Sequence, residues 1–216
     1  MPKQDGRTET CMKVLLINGS PHKDGCTNRA LNEVMETLEK NGIESELIWI
    51  GTDAIHGCIA CGGCADTKKC VFDDVANVIS EKMAECDGLI VGSPVYYSSP
   101  NGSLLSLLDR VFGICPYLTH KPAAAVTSAR RAGTSATIDA INKYFTIRQM
   151  PVVSSTYWNM VHGSKKDDVA EDAEGLQTMR NLAQNMAWLL KCIKAGKDAG
   201  ISAPTAQTGE KTSFIR

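Results

Sequence analysis

Residues 58–70, Cys-Ile-Ala-Cys-Gly-Gly-Cys-Ala-Asp-Thr-Lys-Lys-Cys, carry four thiols spaced C-x2-C-x2-C-x5-C. Thiolates are soft ligands, and three of them at two-residue gaps can wrap one small iron–sulfur cube while a fourth closes it. A 4Fe-4S site on Cys58, Cys61, Cys64 and Cys70 is therefore the first reading. Structural zinc usually takes its cysteines as two separated pairs, and no second pair or Cys/His set follows. A disulfide loop needs an oxidising compartment, which nothing else in the chain asks for. A loop of free or switching thiols is the remaining alternative, and at this level the alternatives stay open.

Three other segments carry chemistry. In Gly19-Ser20-Pro21-His22-Lys23-Asp24-Gly25-Cys26-Thr27-Asn28, small and hydroxyl residues lead into a helix. Backbone N–H groups there can converge on an anion with the positive end of the helix dipole behind them. Neither the Walker lysine nor a G-x-G-x-x-G pattern is present, so a monophosphate fits better than a pyrophosphate. The second segment, Gly92-Ser93-Pro94-Val95-Tyr96-Tyr97-Ser98-Ser99-Pro100-Asn101-Gly102, sets two aromatics in a proline-bounded loop that can wall a flat ring. The third, Ser128-Ala129-Arg130-Arg131-Ala132-Gly133-Thr134, puts two arginines before a helix, suited to anionic or carbonyl-rich groups. In each case the bland alternative is structural: a capped helix, half-buried tyrosines or a solvated charged turn.

The elements that must position these loops follow from hydrophobic pattern. Short apolar runs at 12–18, 43–50, 86–91 and 122–127 read as strands, and Pro151-Val152-Val153 opens a fifth. Between them, Leu31, Val34, Met35 and Leu38 recur at helical spacing and stop at Asn41-Gly42. Asp73 or Asp74 can cap a helix carrying Val75, Val78, Ile79 and Met83. Leu104, Leu107, Leu108, Val111 and Phe112 mark another; Ile138, Ile141 and Phe145 the next; and 176–193 a long final one. Five strands alternating with helices predict a parallel α/β sheet covered on both faces, with the site beyond the carboxyl ends of the strands.

At 216 residues the chain is long enough for one domain with a full core, expected over 12–196, with loose polar ends at 1–11 and 197–216. A net charge of −1 leaves no electrostatic footprint for nucleic acid or an anionic membrane. The polar N-terminus, the short apolar runs and the odd count of nine cysteines predict a reducing cytoplasm. No Ser/His/Asp or paired-carboxylate signature is present. Among the histidines, His162 in the large-residue segment 157–163 is expected to close over a ligand or pack an interface.

With these motifs in register over about residues 12–195, the chain resembles the flavodoxin-like NAD(P)H-dependent FMN reductases, and more narrowly the iron–sulfur flavoproteins among them. The resemblance implies a flavodoxin-like three-layer sandwich with a five-stranded parallel sheet of order 2-1-3-4-5. It implies that Ser20, His22, Cys26, Thr27 and Asn28 surround an FMN phosphate. It also implies that Pro94, Val95, Tyr96 and Tyr97 line the isoalloxazine ring, and that Ser128, Arg130 and Gly133 lie near its polar side. Cys26 departs from the pattern, since many relatives have asparagine or serine before the threonine. Implied partners are NADPH or NADH, ferredoxin, and further copies of the chain in a homodimer or homotetramer. Three functions follow as expectations: an NAD(P)H-dependent FMN oxidoreductase, a ferredoxin-linked electron carrier without nicotinamide activity, and a cysteine-based redox sensor.

Overall fold

The computed structural model describes residues 11–214. Its elements run β1 (Lys13–Asn18), α1 (Cys26–Lys40), β2 (Glu44–Trp49), α2 (Cys64–Thr67), α3 (Val75–Lys82), β3 (Gly88–Tyr96), β4 (Ser99–Pro100), α4 (Gly102–Ile114), β5 (Ala123–Ala129), α5 (Thr134–Ile147), β6 (Met160–His162), α6 (Lys166–Glu171) and α7 (Ala173–Asp198). The parallel sheet has the order β2-β1-β3-β5-β6, and β4 pairs antiparallel with β3 beyond it. Without that two-residue hairpin partner, the order is the expected 2-1-3-4-5.

Successive side chains of a strand point to opposite faces, and both faces here are buried. Leu15, Ile17, Leu89, Val91, Ala123 and Ala125 pack with α3, α4 and α5 in one core. Val14, Leu16, Ile90, Ala124 and Val126 pack with α1 and α7 in the other. Near-continuous apolar strands are thus explained by helices on both sides, giving three layers. Among the described residues no helix is long and apolar enough to cross a membrane.

Two expectations need correction. The third strand does not end at Gly92 but runs on to Tyr96 and turns back through β4, because Tyr97 and Ser98 both take left-handed backbone angles (φ 51° and 58°). Two positive-φ residues between paired strands form the hairpin turn whose twist matches the strands. The fifth strand also lies later than expected. Val152 makes an isolated parallel bridge to Ala123, the chain then leaves the sheet, and the ladder resumes as β6 opposite Thr127–Ala129. Residues 154–158 are held out of the sheet by hydrogen bonds of Ser155 Oγ to Asn159 Oδ1 (2.8 Å) and of Asn185 Nδ2 to the Ser154 carbonyl (2.8 Å), and the Asn159 carbonyl rejoins it by accepting the Thr127 N–H (2.9 Å). His162 therefore belongs to the strand itself. The final helix extends to Asp198, just past the expected boundary at 196, and residues 201–214 are exposed without regular structure. The expectation for the first ten residues lies outside the described residues.

Glu33 joins α1 to α7, accepting from Arg29 (2.9 Å) and from Arg180. Burial pushes its carboxyl up, but the hydrogen bonds and charges of Arg180 and Arg29 outweigh that and hold it below the ordinary carboxylate range. Stability from this group is thus complete above the unfolded carboxylate pKa and is lost as pH falls through the folded one. E33Q is expected to cost on the order of 1 kcal/mol at pH 7. Thermal melts of parent and variant should converge as pH drops below about 4. A gap that stays constant with pH would show that Glu33 acts through packing alone.

Candidate functional site

Three loops meet at the carboxyl ends of β1, β3 and β5. The first is organised by Asn18, fully buried at the end of β1. Its Oδ1 accepts the Ser20 N–H (3.0 Å), and its Nδ2 reaches the Lys23 carbonyl and Asn28 Oδ1 (both 3.4 Å). Ser20 Oγ accepts the His22 N–H (3.1 Å), and Trp49 Nε1 donates to the Ser20 carbonyl (2.7 Å). The Gly19 N–H donates to the Gly92 carbonyl (2.8 Å), which ties this loop to the end of β3. A methyl group at Gly19 would lie 2.6 Å from Leu104, and one at Gly92 would lie 2.8 Å from Leu31, so both glycines are required by close approach.

The loop delivers the chain into α1 with Gly25 as N-cap, no side-chain cap and no acidic residue in the first turn. The first N–H groups of a helix need an acceptor, and an anion is a natural one. The same holds at α5, whose N-cap is Gly133, again without a side-chain cap. By contrast α3, α4 and α7 are capped by Asp74, Asn101 and Asp172. The two uncapped long helices start from two of the three loops read as ligand-binding, while the third leads into α4 with its Asn101 cap.

Thr27 and Ser128 were expected in different parts of the site, and the structure joins them: their hydroxyls are 2.8 Å apart and buried. Either hydroxyl can donate in this pair, and the Thr27 backbone N–H at the start of α1 stays available as a further donor. Burial, followed by the charge of Asp168, pushes the Cys26 thiol up. It stays a neutral S–H, 3.5 Å from the Gly163 carbonyl, and does not repel an anion at the helix start. His22 and Arg130 are exposed at the rim.

Pro94, Val95, Tyr96 and Tyr97 lie on the β3–β4 hairpin, with Tyr97 fully exposed and Tyr96 44% exposed. Gly133, at φ 93°, presses against this hairpin. A methyl group there would stand 2.8 Å from Ser98 Cα and from Val95 Cγ1. Loop and hairpin are thereby fixed to each other.

The cysteine loop follows β2. All nine cysteines are free; Cys58 and Cys61 are exposed, and Cys64 and Cys70 are half-buried. Among the described residues no three metal-ligating side chains are gathered closely enough to hold an ion. The far end of the loop is nevertheless fixed. The Cys70 N–H donates to Asn77 Oδ1 (2.8 Å), and Asn77 Nδ2 donates to the carbonyls of Cys70 (3.2 Å) and Phe72 (3.3 Å). Beneath lies Arg110 of α4, only 2% exposed. It donates to both Asp74 oxygens (2.7 Å each), to the carbonyls of His56 (3.3 Å) and Phe72 (3.1 Å), and through Nε to Cys70 Sγ (3.1 Å). Burial would push the Asp74 carboxyl up, but Arg110 and the Ala76 N–H outweigh it and hold the carboxyl below the usual range. Asn18 and Arg110 were not singled out from sequence. The signal was a polar side chain ending a buried strand, and a charge three residues after Leu107 on an apolar helix face.

A sequence model of the family described as NADPH-dependent FMN reductase matches residues 12–165. An iron–sulfur flavoprotein of Methanocaldococcus jannaschii is 35% identical over 192 residues, covering 85% of this chain and 100% of the relative. One from Methanosarcina thermophila is 31% identical over 192 residues, covering 87% of this chain and 100% of the relative. Among solved structures, a flavodoxin from the domain Archaea superposes with TM-score 0.57 at 16% identity, covering 83% of this chain and 99% of its own. RosB, solved with bound 8-demethyl-8-formylriboflavin-5'-phosphate, superposes with TM-score 0.62 at 15% identity, covering 95% of this chain and 94% of its own. These superpositions show a shared flavodoxin-like fold.

Because Gly133 is both left-handed and in contact with backbone, Gly133→Ala is expected to destabilise the protein by roughly 1–3 kcal/mol. Urea denaturation measures this, and an unchanged midpoint would mean that loop and hairpin move apart freely.

Proposed function

This chain belongs to the NADPH-dependent FMN reductase family, within its iron–sulfur flavoproteins, and on that premise we propose that it takes electrons from NADPH or NADH into FMN and passes them to a small-molecule or protein acceptor. It is an FMN-dependent oxidoreductase. The observation that carries the finer reading is the pair of uncapped helix N-termini, α1 and α5, opening beside an aromatic hairpin.

The residues present fit FMN. The phosphate would be held by the N–H groups of Cys26, Thr27 and Asn28 with Ser20 and His22 beside them, in a loop pre-shaped by Asn18. Pro94, Val95, Tyr96 and Tyr97 would wall the ring, while Ser128, Arg130 and Gly133 would stand at its polar edge, where the positive end of α5 suits electron-rich oxygens. FMN, when bound, supplies both two-electron and one-electron chemistry. The polypeptide's own part is to bind, orient and exclude water, and no side-chain nucleophile is called for.

The four cysteines fit a 4Fe-4S cluster by donor chemistry: all are free, soft and on one short loop with its last member already anchored. The cluster, when bound, supplies one-electron transfer. Cys58, Cys61, Cys64 and Cys70 would be its ligands. Both exposed thiols lie toward solvent, where a protein such as ferredoxin can approach, and this favours a ferredoxin-linked carrier as the second reading. A homodimer or homotetramer belongs to the same proposal, with Tyr97, Tyr157 and Trp158 as exposed apolar surface to cover.

Anaerobic purification should yield flavin absorption bands over a broad iron–sulfur shoulder, with about four irons per chain. Rapid bleaching by NADPH or NADH supports the reductase reading, and bleaching by reduced ferredoxin alone supports the carrier. Cys61→Ser should lose iron and keep FMN; iron retained at the parent level would sink the ligand assignment.

A further inference from the structure

Of the four cysteines in the loop, Cys58 and Cys61 are exposed, whereas Cys70 has a buried cation against its sulfur. We propose that Arg110 is a positioning residue for the cysteine site: it holds the Cys70 sulfur in place before metal arrives and withdraws charge from that sulfur once iron is bound. The inference rests on the reading of the four cysteines as cluster ligands and adds to it the asymmetry of the site.

The geometry leaves Arg110 little freedom. A guanidinium has five N–H donors in a rigid fork. Here two face the Asp74 carboxylate at 2.7 Å, two reach the carbonyls of His56 and Phe72, and Nε–H is aimed at Cys70 Sγ at 3.1 Å. Asp74 is itself fixed, since Oδ1 caps α3 through the Ala76 N–H at 3.0 Å. The Phe72 ring lies 5.1 Å from the guanidinium carbon, and the His56 ring stacks on Phe72 at 4.4 Å and 12°. The Arg110 side chain is thus 1% exposed, while Asp74 keeps 29% of its own surface. A sulfur that accepts a hydrogen bond from a buried cation carries less negative charge, and hydrogen bonds to ligand sulfurs are among the features that set cluster potentials. Withdrawal of charge favours the reduced, more negative cluster, so Arg110 raises its reduction potential.

Arg110→Lys keeps a positive charge for Asp74 and removes the fork that reaches Cys70. Asp74→Asn keeps the helix cap and loosens the guanidinium, so it should act in the same direction with smaller effect. Matching circular dichroism spectra establish that the variants fold. In reduced, chelator-treated protein, iodoacetamide labelling read by peptide mass spectrometry should report the contact: R110K should change the Cys70 rate at least about threefold, since it removes the cation that faces that sulfur. The Cys58 rate should stay at the parent value. Equal Cys70 rates in parent and R110K would overturn the anchoring. After reconstitution with iron and sulfide, R110K should shift the cluster midpoint to more negative potential; a tenfold loss of electron affinity corresponds to about 59 mV for one electron. An unchanged midpoint would overturn the tuning. A parent protein that takes up no iron refutes the cluster reading and the tuning with it, while the labelling still decides whether Arg110 holds Cys70.

Discussion

A guanidinium stripped of nearly all its water must have every N–H answered by protein, and Arg110 imposes that condition on three segments at once. The stretch before the cysteines supplies the His56 carbonyl, the stretch after them supplies Cys70 and Phe72, and the start of α3 supplies Asp74. None of these segments can shift alone without leaving a buried charge or donor unanswered, which typically costs several kcal/mol. The chain between β2 and α3 is thereby fixed at its ends, with the exposed short helix α2 between them. Because Arg110 sits on the helix that leaves the β3–β4 hairpin, the cysteine loop and the aromatic hairpin share one rigid support.

The distribution of helix caps follows a comparable division of labour. Asp74 and Asp172 close helix starts away from the three loops, and Asn101 closes the one that leaves the aromatic hairpin. Gly25 and Gly133 leave two starts open, and a glycine N-cap brings backbone close to a ligand without offering a competing oxygen. The loops are held rigid from behind instead, by Asn18, by the Gly19–Gly92 hydrogen bond and by the contact of Gly133 with Ser98. A loop ordered in this way presents its N–H groups already aligned, so little ordering remains for a ligand to impose.

Much of this was legible in the sequence because the responsible signals are local. Doubly buried parallel strands declare themselves as apolar runs, and the helices between them keep a 3.6-residue period, so the layers followed from pattern, whereas the strand order came from the family resemblance. What escaped depended on distant partners. The β3–β4 hairpin has tyrosine and serine at positive φ where glycine or asparagine would have announced a turn. The fifth strand was misplaced because Pro151-Val152-Val153 does touch the sheet, through one bridge, before the longer pairing resumes at Met160. The link between Thr27 and Ser128 joins residues about a hundred positions apart, and no pattern in either segment encodes it. Arg110 was visible as a charge on an apolar helix face, but its partners lie on another part of the chain.

The excursion at residues 154–158 also bears on how neighbouring copies can meet. An open sheet edge is a row of unpaired backbone donors and acceptors onto which a neighbouring chain can add a strand. On the β6 side that row is interrupted between Val152 and Met160, so what is left is too short to template much pairing. On the β2 side the edge is continuous, but it begins at the exposed charge of Glu44, and Glu46 is held by Lys13 and Lys82. The two rims therefore limit strand addition in different ways, one by an interrupted ladder and the other by a charged residue at its start.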